Sequence, residues 1–177
     1  MERFIVRGTG ELKGSVRVSG SKNAALPILC ATILCGEEIV LEDVPELKDV
    51  EILCDVLRGL GVKVEHKDKN LYVINAENIT NTVTGEELMS KMRASFCVMG
   101  PLLSRMGHTG NALPGGCAIG TRPIDLHIKG FKALGAEVSI SKGMVNASAE
   151  KLIGDDIYLD FPSVGATQNI MLSLIHI

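Results

Sequence analysis

Cys117 stands in the segment Leu113-Pro114-Gly115-Gly116-Cys117-Ala118-Ile119-Gly120-Thr121-Arg122-Pro123, and its neighbours suggest a chemistry. The glycines remove side chains that would shield the sulfur and let backbone N–H groups face a bound anion. Arg122, five positions on, supplies a cation of the kind that lowers a thiol pKa and raises its thiolate fraction. The segment predicts a reactive cysteine facing an anion; the competing reading is a structural thiol held in a turn. Cys30, Cys35, Cys54 and Cys97 lie instead in apolar, helix-like runs and are predicted to behave as small core hydrophobes. Five cysteines with no C-x-x-C pair and no histidine at ligand spacing predict neither a zinc site nor a disulfide framework.

More positive charge stands at three helix starts. Ser21-Lys22-Asn23, Met92-Arg93-Ala94 and Ser163-Val164-Gly165 each open a run of small and apolar residues. Such starts carry unpaired N–H groups and the positive end of a helix dipole. If they share one rim, Lys22, Arg93 and Arg122 add full charges to it, and the rim suits phosphate or carboxylate. Plainer readings stand beside this one. Lys22 could be a solvated first-turn charge, Arg93 could pair with Glu86 or Glu87, and Arg122 could serve a turn between Thr121 and Pro123. Asp125 reads first as a helix N-cap, and His127 on the helix that follows reads as a surface or half-buried histidine.

The elements that must position these groups repeat. An apolar helix from Ser21, an amphipathic helix over 47–60 and a hairpin around Lys67-Asp68-Lys69-Asn70 form one unit. An apolar helix from Met92, an amphipathic helix from Asp125 to Leu134 and a hairpin around Lys142-Gly143 form a second. Leu60-Gly61 and Leu134-Gly135 mark equivalent helix ends about 74 positions apart, a period suited to small α/β units sharing a core. A third unit begins with the helix start at Ser163, and the chain reaches Ile177 soon after. The reading is of an incomplete chain whose closing Ser173-Leu174-Ile175-His176-Ile177 need not be native.

Composition narrows the partners. The chain has 177 residues, 46% hydrophobic, with net charge −3, enough to bury a substantial core in a soluble α/β protein. With 3% aromatics and no tryptophan, base stacking is poorly served, and without an excess of Lys and Arg neither nucleic acid nor an anionic membrane is an expected partner. The charged start Met1-Glu2-Arg3-Phe4-Ile5-Val6-Arg7 is not a signal peptide, and the apolar run from Ala24 to Cys35 is too short to span a bilayer, so a cytoplasmic location is expected.

Four segments together carry a resemblance: Ser19 to Pro27, Met92-Arg93-Ala94-Ser95, Leu113 to His127, and Ser163-Val164-Gly165-Ala166-Thr167. In this order they resemble the enolpyruvyl transferases, and among them those that act on UDP-N-acetylglucosamine in bacterial peptidoglycan synthesis. The resemblance runs almost end to end, although such enzymes are about two and a half times as long. It implies an inside-out α/β barrel built from repeated βαβαββ-like units. Residues 1–19 would belong mostly to a second, absent domain, and residues 20–177 to one domain whose third repeat is cut short.

It also implies roles. Lys22, Arg93 and Arg122 would hold the phosphate and carboxylate of phosphoenolpyruvate, and Cys117 would help protonate its methylene carbon. Asn23, Arg122, Pro123, Ile124, Asp125, Leu126, His127, Ser163, Val164 and Gly165 would lie near the nucleotide sugar. No metal and no cofactor are expected. Parts of such a site, an aspartate and a further arginine, lie beyond this chain, so the fragment alone is expected to be inactive. Phe161-Pro162 stands where some relatives carry a lysine. The sister enolpyruvyl transferase of the shikimate pathway and a non-catalytic anion-binding or thiol-redox module remain the rival readings.

Overall fold

The structure, a computed structural model, describes residues 3–8, 10–11, 13–85, 93–113 and 124–175, with the side chains of 93–95 excepted. Cys117, Arg122 and Pro123 therefore lie outside the described residues, as does the side chain of Arg93.

Helix α1 (Lys22–Ala31) begins where the Ser21 carbonyl accepts the N–H groups of Ala24 and Ala25 at 3.2 and 2.9 Å. The Ser21 hydroxyl makes no capping bond, so the serine acts here through its backbone. A 3₁₀ turn (Thr32–Leu34) extends α1 and leads into strand β1 (Glu38–Leu41). Helix α2 (Lys48–Gly59) follows, with Val50, Leu53, Cys54, Val56 and Leu57 buried and Glu51, Asp55 and Arg58 outward, the stripe expected from a 3.6-residue period. Strands β2 (Lys63–Asp68) and β3 (Leu71–Asn75) close the unit in an antiparallel sheet ordered β1-β3-β2.

The second unit reads β4 (Val83–Thr84), a 3₁₀ segment (Arg93–Val98) running into α3 (Met99–Met106), β5 (His108–Ala112), α4 (Asp125–Ala133), β6 (Glu137–Ser141) and β7 (Met144–Ser148). That is a βαβαββ order. Its sheet runs β4-β5-β7-β6, with β4 parallel to β5 and the remaining pairs antiparallel. The two units end α2 and α4 alike, at Gly61 (φ 94°) and Gly135 (φ 87°), a left-handed backbone that glycine adopts without the steric penalty of a Cβ. Helix α5 (Val164–Leu174) opens the third unit and packs against α3 and α4.

Helices lie at the centre and sheets at the rim. Five consecutive residues of α3, Met99 to Leu103, are buried, so this helix is covered on all sides. Leu102 belongs to a core shared with α1, α2 and β3, while Met99 and Leu103 belong to a core shared with α4 and β7. The packing is close enough to require glycine: a Cβ on Gly100 would sit 2.2 Å from the Asn169 carbonyl oxygen of α5, and one on Gly130 of α4 would sit 2.3 Å from Ile170 Cδ1. Arg105, at the end of α3, donates to the Ile33 and Cys35 carbonyls at 2.6 and 3.3 Å and ties the second unit to the first.

Three strands lie where the residue pattern itself marked none, although the βαβαββ-like units implied by the resemblance call for strands before and between the helices: β1, β4 and β5. In β5, His108-Thr109-Gly110-Asn111-Ala112 has little intrinsic strand preference. It forms because it lies between β4 and β7, where Thr109 donates to the Thr82 carbonyl at 3.3 Å and Asn111 is fully buried. The apolar helix expected from Met92 is instead a 3₁₀ segment over its first six described residues and α-helical only from Met99. Phe4, Ile5, Val6, Val16 and Val18 stand exposed on an N-terminal stretch without regular structure. Near the other end, Ser173 is buried and donates to the Ile170 carbonyl at 2.6 Å, while Leu174 packs against the second core.

Candidate functional site

Lys22 and Asn23 are the first two residues of α1, and both are exposed. The Lys22 ammonium pairs with the Asp49 carboxylate in the first turn of α2. The cation thus sits at a helix start as expected, already balanced by an acid that the sequence reading did not assign to it. Arg93 opens the 3₁₀ segment ahead of α3. No hydrogen bond or ion pair among the described residues joins Lys22 or Asn23 to the other candidates.

A second group is brought together. Ile124, rather than Asp125, occupies the N-cap of α4; Asp125 is the first helical residue, where a carboxylate still favours the positive end of the dipole. The correction follows from the hydrogen bonds, since the Ile124 carbonyl already accepts the Ile128 N–H at 3.1 Å. Leu126 is buried and anchors the turn, leaving His127 half-buried on the neighbouring face. Across from it, Ser163 caps α5, its hydroxyl accepting the Ala166 N–H at 3.3 Å. Helix geometry leaves the Val164 and Gly165 N–H groups without intrahelical partners. A Cβ built on Gly165 would lie 3.8 Å from both Cε1 and Nε2 of His127, so the outer edge of the imidazole borders the first turn of α5.

Burial pushes the His127 pKa down to about 4, because the ring sits among apolar groups that disfavour its charged form. The ring meets Phe96 edge-on, centroids 5.1 Å apart at 86°. His127 is therefore neutral at physiological pH and offers one N–H and one lone pair. Together with two free backbone amides it makes a polar corner able to donate to an anionic oxygen.

Cys30 and Cys54 behave as core and Cys97 packs half-buried against the same cluster. Cys35, expected with them, is instead a half-buried residue in extended backbone at the end of the 3₁₀ turn, its sulfur accepting the Glu37 N–H at 3.4 Å. Cys30 is fully buried; a hydrogen bond with the Cys97 thiol and burial hold its pKa well above the ordinary thiol range. Burial pushes Cys54 up to about 11. Neither forms the thiolate that nucleophilic chemistry needs at neutral pH.

One buried polar residue beside these groups escaped the sequence reading: Asn169. It is fully buried in α5 and reaches three other elements by hydrogen bonds, including one to His127. A signal existed, since Ala166, Asn169, Ile170 and Ser173 form the buried stripe of α5 and an amide on such a stripe requires partners.

This fold and these helix starts have counterparts. Residues 6–176 match the family described as EPSP synthase (3-phosphoshikimate 1-carboxyvinyltransferase). The chain belongs to that family. Within it, the chain is 59% identical over 174 residues to UDP-N-acetylglucosamine 1-carboxyvinyltransferase of Finegoldia magna, covering 98% of itself and 41% of that protein. It is 54% identical to UDP-N-acetylglucosamine 1-carboxyvinyltransferase 1 of Halalkalibacterium halodurans, covering 98% and 40%. The chain thus spans about two fifths of the length of the curated relatives it matches. Among solved structures, the enolpyruvyl transferase NikO from Streptomyces tendae superposes with a TM-score of 0.75 at 18% identity, covering 94% of this chain and 39% of that one. EPSP synthase from Acinetobacter baumannii gives 0.68 at 16%, covering 90% and 37%. The carboxyvinyltransferase family fold, mixed helix and sheet, agrees with the inside-out α/β arrangement expected from the resemblance.

Proposed function

We propose that the protein carrying this chain transfers the enolpyruvyl group of phosphoenolpyruvate to the 3′-hydroxyl of UDP-N-acetylglucosamine, the committing step of peptidoglycan and cell-wall synthesis, in the cytoplasm. The observation that carries this reading is the 59% identity over 174 residues to a UDP-N-acetylglucosamine 1-carboxyvinyltransferase, which spans every candidate position. The polar corner of His127, Val164 and Gly165 supports it, being suited to an oxygen-rich anionic ligand. The shikimate-pathway reading draws on the family description and on a structural likeness at 16% identity, which speaks to the fold alone.

In the proposed reaction Cys117 helps deliver a proton to C3 of phosphoenolpyruvate, leaving C2 oxocarbenium-like, and the sugar 3′-hydroxyl adds to C2 as it loses its own proton. Phosphate then leaves C2 and a proton leaves C3, restoring the double bond. Lys22, Arg93 and Arg122 hold the phosphate and carboxylate, stabilising charge as it develops on the leaving group. Asn23, Pro123, Ile124, Asp125, Leu126, His127, Ser163, Val164 and Gly165 line the nucleotide-sugar side. Residues 1–19 pair with the remainder of the full-length protein, and residues 20–177 form most of one of its two domains. Neither nucleic acid nor membrane is a partner in this reading.

The test is phosphate release from phosphoenolpyruvate by the full-length protein. Release that depends on UDP-N-acetylglucosamine is expected. Release that depends on shikimate 3-phosphate instead would move the assignment to the sister reaction, and release with neither acceptor would end it.

A further inference from the structure

Asn169 lies wholly inside the protein, where its side-chain amide meets three groups. The Gly100 N–H at the start of α3 donates to its Oδ1 at 2.7 Å. Its Nδ2 donates to the Phe96 carbonyl at 3.2 Å and lies 3.1 Å from His127 Nδ1. The first two partners are backbone groups of fixed polarity, a donor that needs Oδ1 and an acceptor that needs Nδ2, so the amide cannot be turned over without losing both. Its second N–H is therefore directed at His127 Nδ1, which must accept. The imidazole is then neutral with its proton on Nε2, the edge that borders Gly165.

We infer that Asn169 is a positioning residue, holding His127 in the Nε2–H form so that this N–H donates to an acceptor oxygen of the bound nucleotide sugar. This rests on the transferase reading above. The groups around the ring leave the amide in control. Helix α5 carries no titratable side chain over Val164–Leu174, the 3₁₀ segment carries Arg93 and Cys97, the latter hydrogen-bonded to Cys30, and α4 contributes Asp125, Lys129 and Lys132, of which Lys129 is bound to Asp160 at 2.9 Å.

The decisive variant is Asn169→Asp in the full-length protein. It keeps an acceptor for Gly100 but places a carboxylate opposite His127 Nδ1, which draws the proton to Nδ1 and raises the titration midpoint of the ring. At pH 8, affinity for UDP-N-acetylglucosamine is expected to fall about tenfold, the loss of one hydrogen bond to a charged acceptor. It is expected to recover as the pH drops and the ring gains its second proton, whereas wild-type affinity stays flat across this range. Nitrogen-15 NMR of wild-type His127 supplies a readout independent of the variant's folding, with the Nε2–H pattern expected. An Nδ1–H pattern in wild type, or Asn169→Asp affinity equal to wild type at every pH, overturns the inference. Wild-type protein that shows the Nε2–H pattern yet binds no UDP-N-acetylglucosamine overturns the transferase reading and the ligand half of the inference with it.

Discussion

His127 is charged with difficulty in the folded protein, and that has a thermodynamic consequence. Its folded pKa is about 4, below the ordinary histidine value near 6.5, so the unfolded chain binds the proton more readily. Stability is fully present above about pH 6.5, declines as pH falls toward 4, and levels off below. We expect a loss of as much as ~3 kcal/mol across that window from this group, read by urea denaturation at pH 7 and pH 4.5. A His127→Gln variant should flatten the pH slope, and an unchanged slope would mean that other groups carry it. For Cys117, replacement by serine in the full-length protein should abolish labelling by fosfomycin, an epoxide phosphonate, as read by peptide mass spectrometry; persistent labelling at another cysteine would refute the assigned role. Arg122→Ala should weaken phosphoenolpyruvate binding about tenfold or more through lost charge-assisted hydrogen bonds, measured by calorimetry.

At the level of helices and strands, contact between α5 and its neighbours depends on absent side chains. Gly100→Ala puts a methyl against a backbone carbonyl oxygen that has nowhere to go, and a loss of about 3 kcal/mol or more is expected. Gly130→Ala presses only on the end of Ile170, which can change rotamer, and alanine gains helix propensity, so about 1–2 kcal/mol is expected. Equal losses in the two variants, read from denaturation midpoints, would count against this account of the packing. Much of this level was legible beforehand. The amphipathic period of α2, the Leu-Gly ends and the Lys142-Gly143 turn depend on local backbone preferences, and a chain displays those in its own sequence. Strand β5 does not, because its Thr, Gly and Asn become a strand only through their neighbours in the sheet. The stripe of α5 marks Asn169 as an amide that needs partners but does not name them, because all three are 42 to 73 positions away in sequence.

For the molecule as a whole, the repeat foretold two α/β units and the opening of a third, while the helix-inside, sheet-outside arrangement was expected only through the family resemblance. The expected rim of charge is legible only in part: Lys22 is placed but tied to Asp49, and the thiol and guanidinium of positions 117 and 122 lie outside the described residues. The exposed Phe4, Ile5, Val6, Val16 and Val18 leave an apolar stretch without packing partners among the described residues. Expressed alone, residues 1–177 should melt broadly or aggregate; a sharp cooperative transition at ordinary temperature would contradict that.

Leu102 and Leu103 point from one turn of α3 into two different hydrophobic interiors, and Arg105 binds carbonyls of the other unit just beyond. Neither half can therefore open without dragging a strut out of its twin. Amide hydrogens of the central helix should exchange with solvent at the slowest rate in the chain, and those of α2 and α4 should be released together with them rather than one half at a time.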